Sequence, residues 1–253
     1  MSMTLDSPLV VFAVALVAQW IAAYGGDFLS RKRQPFNQDE KADYDAVQTA
    51  TLTLLALIIG FSFSMAVSRY DQRKNYEEAE ANAIGTEFLR ADLLPAVDAA
   101  STRDLLIRYL DRRIAFYGAR GEQEVSTINA ETAKLQAELW STVARAAAAQ
   151  ATPAVVLAVS GMNDVLNSQG YTQAAWWNRI PIAAWAMMGL IAIAANGIIG
   201  YGERRKGVLL LLVLPIIISI SFLLVADIDS PRGGIIRVPP QNLIALSQSL
   251  RPH

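Results

Sequence analysis

Apolar positions along the chain gather into four long runs, and polar residues fill the stretches between them. A helix crossing a bilayer needs about 20 mostly apolar residues at 1.5 Å rise each. The first run, Pro8 to Tyr24, reads PLVVFAVALVAQWIAAY, and the second, Ala46 to Val67, reads AVQTATLTLLALIIGFSFSMAV. The third, Ile180 to Tyr201, is IPIAAWAMMGLIAIAANGIIGY, and the fourth, Gly207 to Ala226, is GVLLLLVLPIIISISFLLVA. The pattern predicts four transmembrane helices. The second differs from the others because Gln48, Thr49, Thr51, Thr53, Ser62 and Ser64 interrupt it. The first run is read as a retained helix: MSMTLDS before it has no basic residue and Arg31, Lys32 and Arg33 follow it, the reverse of a signal peptide.

Between the second and third spans, helix formers dominate and no alternating strand pattern competes. From Arg69 to Leu93 nothing breaks a helix before Pro95 except Gly85, so the second span is expected to continue beyond the bilayer as a rod. Ser101 and Asp104 then resemble a capping box. The apolar stripe Leu106, Tyr109, Leu110, Tyr117 follows, closed by Gly118 and Gly121. A third helix is expected over about Glu122 to Gln150. Thr152-Pro153 starts a fourth, which reaches about Asn167. The fold class is therefore all-α. Its expected parts are transmembrane helices 1 and 2 (1–67), a helical extramembrane domain (68–177), transmembrane helices 3 and 4 (178–228) and a C-terminal tail (229–253). Trp176-Trp177 beside Arg179 reads as an interfacial anchor.

Composition narrows the function classes. The chain of 253 residues is 53% hydrophobic with net charge −1, which gives no bulk attraction to nucleic acid. It has no cysteine, and its single histidine is the terminal His253, read as a frayed end. Neither GxSxG, HExxH nor a P-loop occurs, and the middles of the spans carry no Asp, Glu, Lys or Arg. These features predict a chain that is not an enzyme and has no cofactor. The short loops hold Arg31, Lys32, Arg33, Lys41, Arg204, Arg205 and Lys206, and the opposite side holds Arg69, Arg73, Lys74, Arg179, Arg232 and Arg237. By that count the termini and the helical domain lean to the non-cytosolic side of the membrane.

Within the second span, Thr53, Leu57 and Phe61 share one face at four-residue steps, with Ser64 near the same line, whereas Ser62 falls elsewhere. Such a face lines an aqueous path or packs one helix closely on another. Asp227 and Asp229 in DIDSPRGG mark a turn or an ion site. Glu77, Glu78 and Glu80 with Arg73 and Lys74 read as a solvated helix face. Asn196, inside the third span, needs a partner on another helix.

The stretches LLALIIGFSFSMAVSRYDQR (54–73), EANAIGTEFLRADLLP (80–95), RYLDRR (108–113) and DIDSPRGG (227–234) resemble the bacterial membrane proteins of the bestrophin-like domain family. More narrowly, LIIGFSFSMAVSRYDQ is similar to the pore helix of bestrophin chloride channels. That resemblance implies a homo-oligomer, a pentamer by analogy, in a bacterial inner membrane with lipid around it and chloride-like anions passing through. It implies a constriction at Thr53, Leu57, Phe61 and Ser64, with Arg69 at one mouth. Thr53 departs from the apolar neck of the bestrophins, and the dense acidic calcium-binding segment of the animal members has no counterpart. The bestrophin arrangement also places the helical domain in the cytosol, opposite to the charge count. The alternative reading is a non-conducting scaffold or sensor whose helical domain binds a protein or lipid.

Overall fold

The computed structural model describes residues 7–32, 34–202 and 208–251. Arg33, Arg204, Arg205, Lys206 and His253, used above for sidedness and for the tail, lie outside the described residues. Every regular element among the described residues is a helix. Four helical stretches are long and apolar enough to cross a membrane. The chain divides into two units, residues 1–70 with 179–237 and residues 71–178 with 238–253.

The first unit is the membrane unit. It holds α1 (Pro8–Ser30), the beginning of α2 (Gln38–Arg90), α6 (Ile182–Gly202) and α7 (Val208–Asp229). α1 opens with Pro8, whose missing N–H is one that a helix start leaves unpaired in any case. α2 opens on a reciprocal cap. The Glu40 N–H donates to Asn37 Oδ1 at 2.8 Å and the Asn37 N–H donates to Glu40 Oε2 at 3.0 Å. That cap starts the helix eight residues ahead of the apolar run that begins at Ala46.

Inside this unit the helices approach through small residues. A Cβ at Gly200 would strike the Ala23 carbonyl, and one at Gly26 would strike the Gly197 carbonyl. Lipid tails are as apolar as leucine, so close backbone contact rather than water exclusion holds such helices together. A buried polar chain crosses the same packing. Asn196 Nδ2 donates to Gln19 Oε1 at 3.0 Å, and Gln19 Nε2 donates to Ser219 Oγ at 3.4 Å. The partner that Asn196 requires is therefore Gln19 of α1. Around Met188 and Ala192 of α6, Leu55 of α2 and Ile218 and Phe222 of α7 close an apolar core.

The second unit is helical throughout. The remainder of α2 leads into a short 3-10 turn (Ala91–Leu93), then α3 (Ala96–Gly118), α4 (Glu122–Ala149), α5 (Pro153–Trp177) and α8 (Gln241–Leu250). α2 runs its full 53 residues without a break and tightens into the 3-10 turn just before Pro95, whose ring disfavours helix at the preceding residue. α3 starts at Ala96, directly after that proline, rather than at Ser101. Proline sets the helix entry, and Ser101 and Asp104 fall inside the helix. The Thr152 cap forms as the sequence suggests, with the Val155 N–H donating to Thr152 Oγ1 at 3.2 Å. Leu106, Tyr109 and Leu110 are fully buried, together with Ile84, Leu139, Val143 and Met162.

Candidate functional site on α2

α2 presents two chemically different faces within the membrane unit. Leu55, Ser62 and Ala66 are buried, at 2%, 2% and 0% exposure. Ala66 packs with Ile180, Val225 and Ile228. On the other face Thr53, Leu57, Phe61 and Ser64 are uncovered, with Leu57 51% and Phe61 62% exposed. Steps of four, four and three residues keep them near one line, about 16 Å from end to end. Gly60 beside them meets no side chain of its own chain.

Two threonine hydroxyls of this stretch, Thr53 on the uncovered face and Thr51 off it, are satisfied locally. Thr53 Oγ1 donates to the Thr49 carbonyl at 2.8 Å, and Thr51 Oγ1 donates to the Val47 carbonyl at 2.8 Å. A hydroxyl bonded back to its own helix tolerates an apolar surrounding and still offers its lone pairs. The face thus combines two bulky apolar side chains with small polar ones on either side.

Arg69 follows Ser64 by five residues, a little over one turn. Its guanidinium Nη1 lies 3.8 Å from Asp229 Oδ1, and its side chain is 17% exposed. Asp229 also receives Arg179 Nε at 3.1 Å and the Ile180 N–H at 3.1 Å. The carboxylate thereby ties the end of α7 to the start of α6 and offsets part of the Arg69 charge. Asp227 serves backbone instead, accepting the Ile235 N–H at 2.7 Å and the Ile236 N–H at 2.8 Å. Gly234 is required there, because a Cβ would strike the Asp227 carbonyl. The DIDSPRGG segment is therefore a turn whose carboxylates are taken by protein donors. Among the described residues, no three His, Cys, Asp or Glu side chains gather as a metal site.

Two readings of the sequence need correction. The acidic run on α2 is not simply a solvated face: Arg73, Glu77 and Glu80 are 2%, 1% and 0% exposed, while Lys74 and Glu78 face outward. Glu80 pairs with the equally buried Arg113 of α3 and accepts Thr172 Oγ1 at 3.1 Å. Arg113 also lies over the Phe116 ring at 4.6 Å. Burial and then the neighbouring Glu80 charge push the Tyr109 and Tyr117 phenols above their ordinary range, so both stay protonated. Glu77 receives the Leu243 N–H at 3.0 Å and Asn242 Nδ2 at 2.6 Å, at the N-terminus of α8. The spacing of Arg73, Glu77, Glu80, Ile84 and Glu87, four and three residues in turn, was the available signal of one inward stripe.

The tryptophan pair also divides. Trp177 is 74% exposed, but Trp176 is buried against Phe116 and Tyr117, with ring centroids 4.9 and 5.4 Å apart. Trp176 belongs to the core of the helical unit rather than to an anchor.

The family model for the Bestrophin-like domain matches residues 9–243. Crystal structures of a bacterial bestrophin homologue from Klebsiella pneumoniae share the fold. One, phased on zinc, superposes with a TM-score of 0.63 at 15% identity and covers 96% of each chain. A point variant of that homologue gives 0.60 at 13% identity, over 96% of this chain and 97% of the other. No curated protein matches the chain.

Proposed function

The chain belongs to the bestrophin-like domain family, and on that premise we propose that it is a passive ion channel, selective for small anions, assembled as a ring of identical subunits in a bacterial inner membrane. The observation that carries this reading is the uncovered α2 face. Its bulky side chains, Leu57 and Phe61, sit between the small polar Thr53 and Ser64 and are left more than half exposed by their own chain. Copies of this face around a common axis would make a hydrophobic constriction that gates by dewetting. Ser64 would offer hydroxyl donors to a passing anion. Arg69, partly offset by Asp229, would bias one mouth toward negative ions. The turn at 227–234 then acts as a brace rather than as an ion site. Passive conduction asks for no catalytic group and no cofactor.

Purified protein in planar bilayers tests the proposal. Current is expected, with a reversal potential that follows the chloride gradient, and Leu57→Ala or Phe61→Ala should raise conductance. If neither the parent nor either variant passes current, the channel reading fails. A cation-following reversal potential would overturn the anion assignment alone.

A scaffold or sensor is the second reading, favoured by the size of the helical unit, residues 71–178 with 238–253. It predicts a monomer or dimer in native mass spectrometry, where the channel predicts a ring of about five. Membrane sidedness has two opposed arguments, the basic-residue count and the bestrophin arrangement. A reporter fused at the C-terminus that is active only in the periplasm supports the first, and one active only in the cytosol supports the second.

A further inference from the structure

Three carboxylates of α2 point into the helical unit, and only two of them have donors. Glu77 holds Asn242 and the Leu243 N–H, and Glu80 holds Arg113 and Thr172. Glu87, on the same stripe, is 0% exposed, and neither of its oxygens has a hydrogen-bond partner. Its carboxyl group is pressed against Gly161 of α5, where a Cβ would collide with Glu87 Oε2 and Arg90 Nη1. Glycine at 161 leaves room for the acid and supplies nothing to bind it.

A buried carboxylate without a donor is strongly disfavoured, and a neutral carboxylic acid is the form such a place accepts. We propose that Glu87 is a proton-binding site: its carboxyl group is protonated in the folded helical unit at neutral pH, and loss of that proton loosens the contact between α2 and α5. Deprotonation releases the proton to solvent and leaves a charge whose neighbouring cation, Arg90, donates no hydrogen bond to it. The charged groups that act on it are Arg90 on α2 and Asp164 on α5. Asp92 of the 3-10 turn is held by Arg103 of α3. Burial pushes the carboxyl from an ordinary 4.5 up to about 8, Arg90 pulls it back, and Asp164 adds to the rise.

The direction of the pH effect follows from linkage. The folded state holds the proton more tightly than the unfolded chain. Stability from this site is therefore complete below 4.5 and is lost as pH rises through about 8. The site does not depend on whether the chain conducts ions.

The test is difference infrared spectroscopy on the full chain in lipid nanodiscs, titrated from about pH 6 to about pH 10. The protonated-carboxyl band should disappear with a midpoint near 8 and should be missing from Glu87→Gln. Asp164→Asn, a change at an exposed position, should lower the midpoint, and hydrogen exchange around Gly161 should quicken above it. Glu87→Gln should also melt higher than the parent on the alkaline side. A parent without the band at neutral pH, a Glu87→Gln protein that keeps it, or a midpoint indifferent to Asp164→Asn would each overturn the assignment.

Discussion

Arg113 and Glu80 form an ion pair in which both side chains are 0% exposed, and neither charge is tolerable there alone. Arg113→Ala is expected to destabilise the helical unit by about 3–5 kcal/mol, because it leaves the buried Glu80 charge with the Thr172 hydroxyl in place of a cation. A denaturant titration followed by circular dichroism reads this, and a loss under ~1 kcal/mol would show that the pair adds little. In the membrane unit the sensitive residue is Gly200. A methyl group there meets the Ala23 backbone rather than a movable side chain. Gly200→Ala should destabilise by about 1–3 kcal/mol despite alanine's better helix propensity. A thermal melt in detergent checks it.

At the level of elements, α2 is one helix with two roles, and its faces can be separated by substitution. Ser62 lies on the packed face and Ser64 on the uncovered one. Ser62→Leu should therefore destabilise by about 1–3 kcal/mol through overpacking, whereas Ser64→Leu should stay within about 0.5 kcal/mol. Equal losses in a melting comparison would mean that the two faces are not distinct. α8 is held at its N-terminus by Glu77, which supplies both an acceptor for the Leu243 N–H and a favourable charge. Glu77→Ala should cost about 1–2 kcal/mol of local stability. Limited proteolysis should then cut first within 238–251 while the rest of the helical unit stays protected.

For the whole molecule, conduction and subunit number are linked predictions, since the α2 face can line an axis only if several copies surround it. The spans were legible because twenty apolar residues in a row have few alternatives to a membrane helix. That Thr53, Leu57, Phe61 and Ser64 share one face was legible too, since residues on one helix face repeat at a fixed interval, but whether that face is covered was not. The acidic stripe was misread. Arg73–Glu77 looks the same in sequence whether water or a neighbouring helix covers it. The Trp pair failed for a similar reason, since adjacent residues on a helix point about 100° apart and only one of two can face a given neighbour.

By itself the sequence determined the helical class, the four spans and the uninterrupted α2, because hydrophobic period and the positions of proline and capping residues act over a few residues. Only the tertiary structure decided which charges are buried and what answers them. Glu77 meets α8 across 166 positions, Gln19 meets Asn196 across 177, and Asp229 meets Ile180 across 49. Desolvation depends on everything within a few ångströms, whatever its distance along the chain. No local pattern carries that information.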